Sequence, residues 1–329
     1  MYSGNLSFLV KVKISFQRIV TPNVLRPLIE SDVTSVDALL ESLSSYPAME
    51  CLRMRVGTDI QKLSLKEIFA TLTKCWQDDL INIAELTKPK ENVIRFITLL
   101  MKRYELLELL EALRELSLNQ RIITYFPFIG EGLRKKLVDA ESIQHLVSIL
   151  KKHRSVPTVI VAEALTPSSK SSIRELNVDS LRDTVIEEYW RRIMSAAKSI
   201  RPKVKLEKCL KNLKLINALE LRVKKAFLEG KELSASLPKL PPRISEIIKG
   251  CDPSGIDFTI ATLKYVMCVD EMLFSPLSHD ITIAYIIARE YEALLLSSLI
   301  RSQTLGLDKY FLNEVLNRWL NAYDKITCK

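Results

Sequence analysis

Glycine is scarce in this chain. Eight occur in 329 residues, and none lies between Gly132 and Gly230. Left-handed and tightly turned backbone falls by default to glycine, so its scarcity rations sharp reversals and leaves long regular elements. Leu, Ile, Lys, Arg and Glu carry the composition, and unbranched side chains lose little rotamer freedom in a helix. An apolar share of 47% excludes a disordered chain, and the length suffices for two or three units with a substantial core. The expectation is an all-α fold.

No window reaches the roughly 20 uninterrupted apolar residues that a membrane span needs, because charges cut every run, including Arg289, Glu290 and Glu292 within 281–300. The N-terminal stretch mixes Lys11, Lys13 and Arg18 into its apolar residues and lacks a cleavage site, so it reads as mature and cytoplasmic. Six cysteines, at 51, 75, 209, 251, 268 and 328, match neither a Cys-x-x-Cys clip nor a zinc site. Buried free thiols are the expectation. The alternative is an intracellular disulfide of the thermophile kind, for instance between Cys251 and Cys268.

The net charge of +9 has an address. From Tyr189 to Lys249 sixteen Lys and Arg face five Glu and no Asp, so one segment holds the entire excess. Such a face suits nucleic acid, anionic headgroups or an acidic protein surface.

Helix punctuation is clearest in the last third. Ser275-Pro276 offers a cap and a proline for the first turn, and Gly306 stands where a terminating glycine belongs. The helix between them would be roughly 45 Å long at about 1.5 Å per residue. Asp308 then caps a final helix ending near Ile326, with Phe311, Val315, Trp319 and Tyr323 on one face. A second long helix lies between Pro202 and Gly230, with Leu206, Leu210, Leu213, Ile216, Leu219 and Val223 as its apolar stripe. Lys205, Lys208, Lys211 and Lys214 line its other side, as a solvated face or a partner-binding one. A third helix runs from Pro89 to about Leu118, with Val93, Phe96, Ile97, Leu100, Tyr104 and Leu107 forming its stripe. Residues 133–154 and 178–200 read as helices, the latter capped by Asp179 or Ser180, and the β-branched run 156–161 suits a short extended piece.

The familiar chemical signatures lead nowhere catalytic. Gly130-Glu-Gly132 lacks the third glycine and the preceding strand of a phosphate loop and reads as a turn. Ser278-His279-Asp280 has triad residue types, but consecutive side chains on a helix diverge by about 100° and cannot relay a proton; they read as a first helical turn. The three histidines, at 145, 153 and 279, form no metal-binding pair. Asp78-Asp79 is half of the aspartate box of helical isoprenoid synthases, with Asn82 where the box wants an acid; a solvated helix end is the plainer reading. Tyr189-Trp190-Arg191-Arg192 interleaves aromatics with base, without a nucleic-acid recognition motif around it. Glu290 and Glu292 diverge by about 200° and cannot share acid–base work, although one of them can face a neighbouring cation. Arg301 finds Ser297 one turn back, so it either reaches another element or simply favours the helix C-terminus.

Three leucine-rich phrases, Glu105 to Arg114, Lys214 to Lys225 and Glu292 to Arg301, resemble one another. The last, with its acid pair, leucine run, arginine and Gly306-Leu307, resembles the final repeat of the C/d family of central-stalk proteins, found in archaeal A-type ATP synthases and eukaryotic V-type ATPases. The chain keeps Glu290, Glu292, Leu296, Arg301, Gly306 and Leu307 of that pattern. Leu295 and Ser297 replace its Asn and Arg, and Ser302 and Gln303 its Gly and Lys. Asn217 before Leu219 and the 222–225 cluster is similar to the family's middle repeat, and Arg103-Tyr104-Glu105 to its first.

The resemblance implies three similar helical units around a pseudo-threefold axis forming a funnel, over about 1–118, 119–230 and 231–329. It implies a non-enzymatic rotor part without cofactor, small-molecule substrate or nucleic acid, peripheral on the cytoplasmic face of the cell membrane, between the proteolipid ring and the central shaft. The partner-interface candidates are Arg114, Arg222, Glu290, Glu292 and Arg301 from the phrases, and Lys205, Lys208, Lys211 and Lys214 from the basic segment. The competing expectation is a helical nucleic-acid-associated scaffold.

Overall fold

A computed structural model describes the chain except for residues 1–2, 31–34, 119–125, 168–171, 229–255, 271, 273–277, 305–308 and 328–329. Among the described residues every regular element is helical, so the protein is all-α. Two units emerge from proximity: Met1–Pro89 with Arg201–Lys329, and Lys90–Ile200. The expected boundary at 118 falls inside the second unit, because helices from both ends of the chain join to build the first.

The first unit begins with α1 (Ser3–Phe16), α2 (Pro22–Glu30), α3 (Val36–Ser42) and α4 (Pro47–Val56), then a 3-10 segment and α5 (Leu65–Thr87). Ser64 and Glu67 form a capping box that starts α5, each side chain taking a donor from the other's backbone. Gly4 lets α1 pass against the end of α5: a Cβ there would lie 2.6 Å from the Lys88 carbonyl oxygen and 2.7 Å from that of Thr87.

The second unit contains α6 (Glu91–Met101), α7 (Arg103–Ser117), α8 (Gly130–Val138), α9 (Ile143–His153), α10 (Val156–Leu165) and α11 (Val178–Lys198). Four expectations change here. The helix after Pro89 breaks at Lys102. The buried Tyr189 hydroxyl donates to the Leu99 carbonyl, the acceptor that an unbroken helix would offer to Arg103. The break rotates the stripe, so Leu107 is exposed while Leu106, Leu109, Leu110 and Leu113 are buried. Residues 133–154 are two helices, because the Ser142 side chain accepts the His145 N–H and starts a new one. The β-branched run 156–161 is helical, since Ser155 caps it and Pro157 presets its first turn. The cap of α11 is Asn177, one residue before Val178, rather than Asp179 or Ser180.

The chain returns to the first unit through α12 (Leu206–Leu228), α13 (Ile256–Tyr265), a π-turn at Val266–Asp270, α14 (Asp280–Thr304) and α15 (Lys309–Thr327). All six apolar positions expected for α12 are buried. Helix α14 is the axis of this unit, touching α5, α1, α3, α13 and α15. From Asp280 to Ile300 only Glu290, Leu294 and Ser298 keep partial exposure, a narrow stripe four residues apart. A helix apolar on nearly every side has nowhere else to go in water. The helix begins at Asp280 rather than at the expected Ser275-Pro276, since Ser278 and His279 form a bend and a turn ahead of it; residues 275–276 themselves, the expected end at 306 and the Asp308 cap lie outside the described residues, as do the side chains of Phe311 and Val315. Trp319 and Tyr323 are buried as expected.

The cysteine expectation is overturned. Cys51 on α4 is bonded to Cys75 on α5, and Cys209 on α12 to Cys268 in the π-turn. Helix packing sets each pair of Cα atoms 6.1 and 5.3 Å apart, a proximity that spacings of 24 and 59 residues do not advertise. Cys268 is therefore committed to Cys209, and Cys251 lies outside the described residues.

Candidate functional site

Among the described residues of the first unit, two clusters of buried polar side chains lie at the start and the middle of α14. At the start, Ser278, His279 and Asp280 are all buried. The Asp280 carboxylate accepts the backbone N–H groups of Lys205 and Leu206 at 2.9 Å each, and that of Val204 at 3.2 Å from both oxygens. The His279 N–H also donates to the Pro202 carbonyl at 2.9 Å. Of the expected first helical turn only Asp280 belongs to α14, Ser278 and His279 forming the turn that leads into it, and the carboxylate serves the N-terminus of α12, 74 residues earlier. The signal for it was available: residues 203–205 are Lys, Val and Lys, so α12 begins without a side chain that can accept.

His279 sits 6.2 Å, ring to ring, from Phe8, and neither of its nitrogens has a partner. Burial pushes it down to about 4, only weakly opposed by Asp280, so the ring is neutral at physiological pH. Ser278 and Thr282 hydroxyls beside it are also unpartnered. No relay joins them.

About two and a half turns further along α14, Arg289 is buried and fully engaged. It donates to Glu292 at 2.7 Å and to the Tyr285 hydroxyl at 3.1 Å, and approaches Asp79 on α5 at 3.7 Å. The second Glu292 oxygen accepts the Val20 N–H at 2.8 Å. Burial pushes the Glu292 carboxyl upward, against the pull of Arg289 and the Val20 N–H. Burial also works against the Arg289 charge, but Glu292 outweighs it and holds the guanidinium protonated. Burial pushes Asp79 upward too, opposed by Arg289. A cavity of about 10 Å³, room for roughly one water, is lined by Arg289, Glu292, Asp79 and Trp76 among others, and the buried Trp76 indole N–H has no partner. The arrangement ties α5, the approach to α2 and α14 together.

These positions settle several candidates. Glu292 is 1% exposed with both oxygens committed internally, so it is corrected from interface residue to core clamp. It is the member of the acid pair that faces a cation. Glu290 stands half-buried on the open stripe, and Arg301, half-buried in the last turn of α14, is already engaged. On α12, Lys208, Lys211 and Arg222 are exposed and Lys214 is half-buried, as is Lys205 just before the helix. Arg114 is half-buried in the last turn of α7. Asp78 and Asp79 are mid-helix rather than at a helix end, and each turns to an arginine: Asp78 to Arg55, Asp79 to Arg289. In the second unit Glu108 repeats the theme of a remote carboxylate, accepting the Phe128 and Ile129 N–H groups at 2.6 and 3.1 Å before α8.

Comparison with protein-family models and with curated proteins finds no match to this chain.

Proposed function

We propose that this chain is a non-catalytic central-stalk subunit of a rotary A/V-type ATP synthase, coupling the membrane proteolipid ring to the central shaft from the cytoplasmic face. The observation that carries the reading is the phrase Glu290, Glu292, Leu296 and Arg301 borne on one unbroken helix of 25 residues. It resembles the last repeat of that family, and the other two phrases likewise lie on α7 and α12. A three-unit funnel around the shaft belongs to the same proposal.

Physical features support a coupler. Long helices resist bending, and α14 is clamped at its start by Asp280 and at its middle by Arg289 and Glu292, so a load on it is shared with α12 and α5. No helix among the described residues is long and apolar enough to cross a membrane. The lysines of α12 and Arg222 offer a basic face to acidic shaft or ring surfaces. Each surface pair is worth only about 0–1 kcal/mol, so the cluster acts together or not at all.

Affinity capture of the tagged chain from its native membranes tests the proposal. Recovery of proteolipid and shaft subunits is expected, and their absence sinks it. Retention of nucleic acid with a steep salt dependence would instead favour the scaffold reading. Charge reversal at Lys205, Lys208, Lys211 and Lys214 is expected to weaken assembly and lower its salt sensitivity; unchanged assembly removes the basic face from the interface.

A further inference from the structure

Helix α1 is apolar on both sides. Phe8, Leu9, Val12 and Phe16 are buried against the first unit. Leu6, Val10 and Ile14 point the other way, with 51%, 38% and 57% of their surface exposed. They stand four residues apart and form a stripe about 80° wide along the outer face. Lys13 lies within about 20° of Leu6 on one edge, and Lys11 about 60° beyond Ile14 on the other. Both lysines are exposed, and neither has an acidic partner among the described residues. The first acidic residue of the chain is Glu30.

An apolar stripe rimmed by lysines, on a helix without acids, matches the boundary of an anionic bilayer: aliphatic groups enter the acyl region while lysine stems reach back to the headgroups. A second copy fits poorly. Three half-exposed side chains supply a few hundred Å² at most against about 800 Å² per partner in a stable interface, and pairing would oppose like-charged rims. We propose that α1 is a lipid-contacting helix that lies flat on an anionic membrane surface, with Leu6, Val10 and Ile14 inserted and Lys11 and Lys13 at headgroup level. This contact does not depend on the rotary reading.

Sedimentation of the purified full chain with vesicles tests it. The wild type is expected to partition onto phosphatidylglycerol vesicles in a salt-sensitive manner and to leave phosphatidylcholine vesicles largely unbound. The triple variant L6Q/V10Q/I14Q is expected to partition about a hundredfold less. K11Q/K13Q is expected to lose about tenfold or more on anionic vesicles. Because all five side chains are exposed, helical circular dichroism and melting should stay at wild-type values. The proposal is overturned if the wild type does not bind, if the triple variant binds as well as the wild type, or if both vesicle types bind equally. A wild-type dimer in sedimentation equilibrium that the triple variant abolishes would assign the face to a second copy instead. Capture of ring subunits without vesicle binding would overturn this inference alone, and vesicle binding without ring subunits would overturn the rotary reading alone.

Discussion

Replacing Asp280 with alanine should unfasten the start of α12. The carboxylate takes three backbone N–H groups, of Val204, Lys205 and Leu206, and is itself 0% exposed. Losing a capping acceptor costs about 0.5–2 kcal/mol, and leaving a donor to a charged group unpaired adds about 1.5–3 kcal/mol. Because water reaches the freed amides in part, the expected loss for Asp280→Ala is about 3 kcal/mol rather than the sum. Asp280→Asn is not conservative here. Both carboxylate oxygens meet N–H donors, so one of them would be replaced by an amide nitrogen facing another donor, and about 2 kcal/mol should still be lost. Urea unfolding gives the magnitude, and hydrogen exchange of the 204–206 amides gives the location. A loss under about 1 kcal/mol for Asp280→Ala, with those amides still protected, would refute the clamp.

Three further outcomes follow from the same geometry. His279 is held down to about 4 in the fold against about 6.5 unfolded, so the unfolded chain binds the proton first; stability is full above pH 6.5 and falls toward pH 4, by about 3 kcal/mol in total. His279→Leu should flatten the slope between pH 6.5 and 5 in pH-dependent denaturation, and an unchanged slope would count against this burial. Glu292→Gln should cost about 3–5 kcal/mol by removing the nearest counter-charge of Arg289, whereas the double change Arg289→Leu with Glu292→Leu should cost much less than the sum of the two single losses; a double loss equal to that sum would show that the pair is not coupled. Reduction should lower stability by about 3–4 kcal/mol per bond from loop entropy, and peptide mapping of the unreduced protein should yield Cys51–Cys75 and Cys209–Cys268 cross-links.

Much of the helical scaffold was legible because its signals are local. The stripe of α12 from Leu206 to Val223 is buried at every position named for it, since a period of 3.6 residues with lysines opposite leaves one face for packing. The stripe after Pro89 failed beyond Lys102, where a tyrosine 90 residues away takes a carbonyl of the helix. Of the site, the sequence marked α14 and its acid pair but not their use. Glu292 reads like a surface acid until Arg289 and the Val20 N–H are seen around it, and only packing brings those groups together.

The sequence by itself determined the all-α class, the long helices and the concentration of basic charge before and along α12, because backbone propensity, amphipathic period and composition are written residue by residue. Tertiary structure decided which cysteines bond, which carboxylates cap distant helices and which face of α1 is left bare. Those depend on distances between residues far apart in the chain, and no local pattern encodes a distance.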